Sequence, residues 1–148
     1  MTANTVLLVE DNPSDVFIVQ RTFQKLKLQS SIQVASDGDE AIAYLSGTGK
    51  YSNREQFPLP TVILLDLKLP RRSGFEVLEW LKAQPILRRL PVVVLTSSKQ
   101  PSDINQAYDQ GANSYLVKTV NPRDSEDLGR IIYDYWLNCN QQADSASS

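Results

Sequence analysis

The sequence predicts an α/β fold: a doubly wound parallel sheet with helices on both faces. Three observations point there. Short apolar runs such as Val6–Val9 and Val62–Leu65 alternate with amphipathic helical stretches along the chain. The runs are continuous rather than alternating polar and apolar, as expected of strands buried on both faces. Acids close two of them: Glu10 and Asp11 follow the first run and Asp66 follows Thr61–Leu65.

Each element has a local reason. After the first strand, Asn12-Pro13-Ser14-Asp15 supplies an N-cap, Pro at the first helical position and an acid in the first turn. That helix is expected to reach about Lys27. Ser31–Val34 reads as the second strand, and Asp37-Gly38 opens a helix over Glu40–Leu45. Gly47-Thr48-Gly49 ends that helix, and a polar loop runs to Leu59-Pro60. The central strand, 61–66, leads through Leu69–Gly74 to a helix from Phe75 to Gln84. Pro91–Leu95 is the fourth strand, Pro101–Gln110 a helix, and Ser114–Val117 the fifth strand. Asn121-Pro122 opens a last helix expected to reach about Asn140. Gln141–Ser148 is polar without apolar periodicity and is expected to be a disordered tail beyond a domain of residues 1–140. Right-handed crossovers and one reversal of strand order make a doubly wound sheet, and the flavodoxin-like (βα)5 order 2-1-3-4-5, one known example of it, is the expected arrangement. Strands one and three are then neighbours, and their carboxyl ends form the switch point where ligands bind.

Composition narrows the chemistry. The chain has 148 residues, 41% hydrophobic and 22% charged, with a formal net charge of -2 and no Lys/Arg run. That gives no footprint for nucleic acid or an anionic membrane. No apolar stretch is long enough to span a bilayer, and no basic segment precedes Val6–Val9 as in a secretory signal. Cys139 is the single cysteine, so an internal disulfide is excluded and a reducing, cytoplasmic setting is expected. There is no histidine. Ser-His and Cys-His nucleophile pairs, His-rich zinc sites and a phosphohistidine on this chain are therefore excluded.

Two more polar residues end strands: Thr96 after the fourth and Lys118 after the fifth. In a parallel sheet these ends share one edge. A carboxylate after a strand is often only an N-cap. Three acids at one edge, however, repel one another by roughly 1–4 kcal/mol per pair at about 4 Å. A hard cation such as Mg²⁺ and the Lys118 ammonium relieve that repulsion. The hydroxyl and the ammonium suit two phosphoryl oxygens, and the small Ser97 leaves room beside them.

Val9-Glu10-Asp11-Asn12, Leu64–Pro70 with Gly74, Leu95-Thr96-Ser97 and Gly111–Lys118 together resemble the receiver domain of two-component response regulators. The likeness covers about residues 5 to 138. Within that family the chain is most similar to single-domain regulators of cyanobacterial phytochrome kinases, through the insert Gly47–Pro60 and the ending Tyr133–Leu137. The resemblance implies that Asp66 takes a phosphoryl group from a sensor histidine kinase of phytochrome type. It implies Mg²⁺, with Mn²⁺ or Ca²⁺ as substitutes in vitro, held by Glu10, Asp11, Asp66 and the backbone carbonyl of Lys68. It further implies that Lys118 pairs with the phosphoryl oxygens, that Thr96 turns toward them and that Tyr115 follows inward. Such a protein is a phosphoacceptor rather than an enzyme acting on other molecules.

Two departures stand out. Lys118 is followed by Thr119 where the family usually has Pro, and Lys68 places a cation two residues past Asp66. The chain ends soon after the last helix, so output is expected through a surface. On an α-helical projection at roughly 100° per residue, Leu128, Ile131, Ile132, Tyr135 and Cys139 form the expected core face. Tyr133, Trp136 and Leu137 fall outside it as an expected homodimer or partner surface. The alternative function is a phosphorylation-independent adaptor. A phosphatase of the haloacid dehalogenase type wants an Asp where Lys68 stands, and Glu10-Asp11 would repel a flavin phosphate.

Overall fold

The computed structural model describes residues 4–25, 30–118, 122–141 and 143. Five parallel strands, β1 Asn4–Val9, β2 Ser30–Ala35, β3 Val62–Leu65, β4 Val92–Thr96 and β5 Ser114–Val117, lie in the order β2-β1-β3-β4-β5. The helices between and after them are α1 Pro13–Lys25, α2 Gly38–Ser46, α3 Gly74–Lys82, α4 Pro101–Asp109 and α5 Pro122–Ile132. The expected order of strands is the observed one. Boundaries moved by one or two residues. Pro91 has no N–H to give the ladder, so β4 starts at Val92, although the Pro91 carbonyl still accepts from Ile63 N at 2.9 Å.

The continuous apolar runs divide by the period of two. Leu7, Val9, Ile63, Leu65, Val92 and Val94 face one core with Leu78 and Leu81 of α3. Val6, Leu8, Val62, Leu64 and Val93 face the other with Phe23 of α1 and Ile132 of α5. In the insert, Arg54 donates to the carbonyls of Tyr44, Leu45 and Phe57, satisfying orphan acceptors at the end of α2. Tyr44, Tyr51 and Phe57 pack their rings against one another there.

The last helix departs from expectation. It stays α-helical to Ile132 and then widens to a π-helix over Tyr133–Cys139, closed by Asn140 N donating to Tyr135 O at 2.6 Å. Of the expected partner residues one is buried and two are half-buried. Leu137 is 8% exposed, and Tyr133 and Trp136 pack against the core beside Ile132. Ile131 and Tyr135, assigned to the core, are 55% and 53% exposed, and Cys139 is exposed too. In an α-helix Ile132 and Leu137 would lie about 140° apart. The i→i+5 pattern of a π-helix stacks residues five apart on one face, and both enter the same core. Asn4 Nδ2 donates to the Leu137 carbonyl at 3.1 Å, tying this segment to the start of β1. The expected continuation of α1 to Lys27, the Lys118–Thr119 bond and most of the expected tail lie outside the described residues.

Candidate functional site

Pairing of β1 with β3 sets Val9 beside Leu65, so the residues that follow them meet. The backbone stays in the ladder one step beyond each strand. Glu10 N donates to Ala35 O at 3.0 Å, Asp66 N to Val9 O at 3.1 Å, and Lys118 N to Thr96 O at 2.8 Å. These bonds fix the backbone from which the Glu10, Asp66 and Lys118 side chains leave. Carboxylate oxygens of Glu10, Asp11 and Asp66 lie within 4.8 Å of one another, with Glu10 and Asp66 buried and Asp11 exposed.

Lys118 reaches across from β5. Its Nζ donates to Glu10 Oε2 at 2.6 Å, Asp15 Oδ2 at 2.9 Å and Asp66 Oδ2 at 3.0 Å. Burial works to raise the Asp66 carboxyl, but the Lys118 hydrogen bond and charge, helped by the Thr96 hydroxyl, outweigh it and hold the group below its usual range. Glu10 goes the other way. Burial raises it to about 7; the Lys118 bond opposes this and the Asp66 charge adds to it. Burial also works against the Lys118 ammonium, but the three carboxylates dominate and keep it charged well above its ordinary range.

The donor set fits a hard divalent cation: three convergent carboxylates, one driven toward neutrality by burial. A second feature fits an oxyanion. Thr96 is 0% exposed, and among the described residues its Oγ1 meets no partner in good hydrogen-bond geometry, although it lies close enough to Asp66 to lower that carboxyl. A buried hydroxyl without a partner is uncommon, and an acceptor placed on Asp66 would provide one.

Other expected residues are less engaged. Ser97 is exposed. The Lys68 side chain is exposed, while its backbone N donates to Asp66 Oδ1 at 3.3 Å. Tyr115 is half-buried, and its hydroxyl donates to the Ser98 carbonyl at 2.9 Å in the loop after Thr96. Ser98 in turn donates to Asp103 at 2.6 Å. The loop after Asp66 is braced by Arg71–Asp37 at 3.3 Å and Arg72–Asp39 at 2.7 Å. Gly74 sits so close to it that a Cβ would lie 2.2 Å from the Asp66 carbonyl oxygen.

Asp15 is the site residue that the sequence reading passed over, as an ordinary first-turn acid. Its signal was position. Asn12 caps α1 through Oδ1 to Ser14 N at 2.9 Å and Asp15 N at 3.3 Å, which makes Asp15 the third helical residue. A side chain there commonly turns back toward the cap; here it turns back to Lys118.

Comparison with known proteins agrees with this geometry. The response regulator receiver domain matches residues 6–128. Response regulator Rcp1 of Synechocystis sp. (strain ATCC 27184 / PCC 6803 / Kazusa) is 39% identical over 132 residues, covering 89% of this chain and 88% of that protein. The crystal structure of the phosphorylated cyanobacterial phytochrome response regulator RcpA superposes with a TM-score of 0.88 at 35% identity, covering 95% of this chain and 99% of that one. The Mn²⁺-bound form of Rcp1 superposes with a TM-score of 0.84 at 36% identity, over 95% and 99% of the two chains. With the switch-point carboxylates, the buried hydroxyl and the bridging lysine all at the carboxyl edge of a 2-1-3-4-5 sheet, this chain belongs to the response regulator receiver family.

Proposed function

We propose that this receiver accepts a phosphoryl group on Asp66 from the phosphohistidine of a sensor histidine kinase, with Mg²⁺ as the divalent cation. The observation that carries the reading is the pairing of a buried, ionised Asp66 with Lys118 at 3.0 Å beside the fully buried Thr96 hydroxyl. Phosphoryl transfer needs position and charge neutralisation more than covalent assistance. An Asp66 oxygen forms the new P–O bond as the P–N bond to the donor imidazole breaks. Lys118 then offers a hydrogen bond to one phosphoryl oxygen and Thr96 to another. Glu10, Asp11 and Asp66, with the Lys68 carbonyl, would hold the cation, which when bound neutralises the charge gathering on those oxygens. Tyr115, already hydrogen-bonded to the loop after Thr96, would pass the change to the surface around α4 and β5.

A kinase of phytochrome type is the proposed partner, supported by the named pairing of RcpA with phytochrome signalling and by the high cover of both chains. Of the residues first assigned to self-association, Leu137 is buried, while Tyr133 and Trp136 are half-buried beside it. Ile131 and Tyr135 are exposed instead. If this face mediates a homodimer, light scattering will show Tyr135→Ala monomeric and Trp136→Ala dimeric or misfolded.

Intact mass after incubation with acetyl phosphate tests the main reading. A Mg²⁺-dependent gain of one phosphoryl group, absent in Asp66→Asn, is expected. No gain, with beryllofluoride also failing to bind, would favour the phosphorylation-independent adaptor.

A further inference from the structure

Lys118 is saturated. An ammonium has three N–H bonds, and each of them already has a carboxylate acceptor, in Glu10, Asp15 and Asp66. Two of those acceptors belong to the cluster at the strand ends. The third does not. Asp15 stands on the first turn of α1, at a cavity of about 60 Å³ between α1 and α5 that Lys118, Ile18, Leu95 and Ile132 also line.

A phosphoryl group on Asp66 brings new anionic oxygens, and Lys118 can engage one only by releasing an acceptor it holds. Glu10 is 3% exposed, so water cannot replace the ammonium there. The Asp15 side chain is 33% exposed, so water can replace the ammonium there. Of the two acceptors other than the reacting carboxylate, Asp15 is thus the one that yields.

We propose that Asp15 is a positioning residue that competes with the phosphoryl oxygens for one N–H of Lys118, so that phosphoryl affinity is set by exchange of that N–H between Asp15 and the group on Asp66. The proposal rests on the phosphoacceptor reading above. It assigns Asp15 an attenuating role: its carboxylate competes for the cation that the phosphoryl oxygens need, and its own charge repels them. Loss of that carboxylate tightens binding of a phosphoryl mimic. A purely structural role predicts the opposite sign, because an acid in the first turn of a helix is stabilising and its loss would loosen the site along with the helix.

The test is calorimetric titration of the full chain with beryllofluoride at saturating Mg²⁺, with a urea melt of each variant. Asp15→Asn is expected to bind about fivefold tighter than the unaltered protein, the scale of one modest hydrogen-bond difference, while its urea midpoint falls slightly. Asp15→Glu, which keeps the carboxylate, is expected to stay within about twofold of the unaltered protein. Equal or weaker binding by Asp15→Asn overturns the assignment, as does equal tightening in both variants. If the unaltered protein binds no beryllofluoride, the phosphoacceptor reading falls and takes this assignment with it.

Discussion

Thr96 and Glu10 each carry a cost that only a ligand removes. The buried Thr96 hydroxyl has no well-aligned partner among the described residues, and a hydroxyl left without one costs roughly 1–3 kcal/mol. Thr96→Val keeps the shape and removes the polar atom. Its melting temperature is expected to rise by about 2–5 °C for a chain of this size, while beryllofluoride affinity drops about tenfold for want of a hydrogen bond. A fall in melting temperature would show that the hydroxyl is already satisfied by Asp66. Glu10 gives the site a pH dependence. Its native value of about 7 lies above the ordinary 4.5, so the folded state holds a proton that the unfolded chain has lost. Stability of the metal-free protein should therefore fall as pH rises between those two values, by at most about 3 kcal/mol. Asp66, held below its ordinary value, acts with opposite sign and weakens the fold only in strong acid. Thermal melts from pH 5 to 8 check this, and Glu10→Gln is expected to flatten the slope.

At the level of elements, Gly74 and the π-helix decide most. A Cβ on Gly74 would meet the Asp66 carbonyl oxygen at 2.2 Å and Leu67 Cα at 2.7 Å, both backbone. Nothing flexible can yield, so Gly74→Ala should cost about 1–3 kcal/mol and shift Asp66 enough to lower Mg²⁺ affinity with it. Gly49, with open space around its missing Cβ, is the contrasting position where Ala should leave the site intact despite some backbone strain. The π-helix makes a prediction that inverts the helical-wheel expectation. Leu137→Ala should cost about 2–5 kcal/mol as a core truncation, and Tyr135→Ala less than about 0.5 kcal/mol as a surface change. Equal effects in urea melts would restore a regular α-helix to residue 139.

Over the whole molecule, the two cores on opposite faces of the sheet share every central strand, so a ligand at the strand ends couples to both. A cation binding only the native state stabilises it by about 2.7 kcal/mol at a hundredfold excess over its Kd. Because Glu10 loses its proton near neutrality, Mg²⁺ should raise the melting temperature more at pH 8 than at pH 5. A shift independent of pH would remove Glu10 from the cation's surroundings.

The strands, the identity of the switch-point acids and the presence of Thr96 and Lys118 on the same edge were legible in the sequence because they follow from local patterns, whereas the strand order came from a known doubly wound arrangement. A strand buried on both faces must be apolar throughout, and a parallel sheet puts all its carboxyl ends together. Asp15 and the last helix were not legible in this way. Whether Asp15 turns to its own helix or to Lys118 depends on a residue 103 positions away. Which face of residues 131–139 is buried depends on how the segment winds against β1 and its core, and a helical wheel assumes that winding in advance. Local sequence sets what each element can bury; the partner across the fold sets which side it does bury.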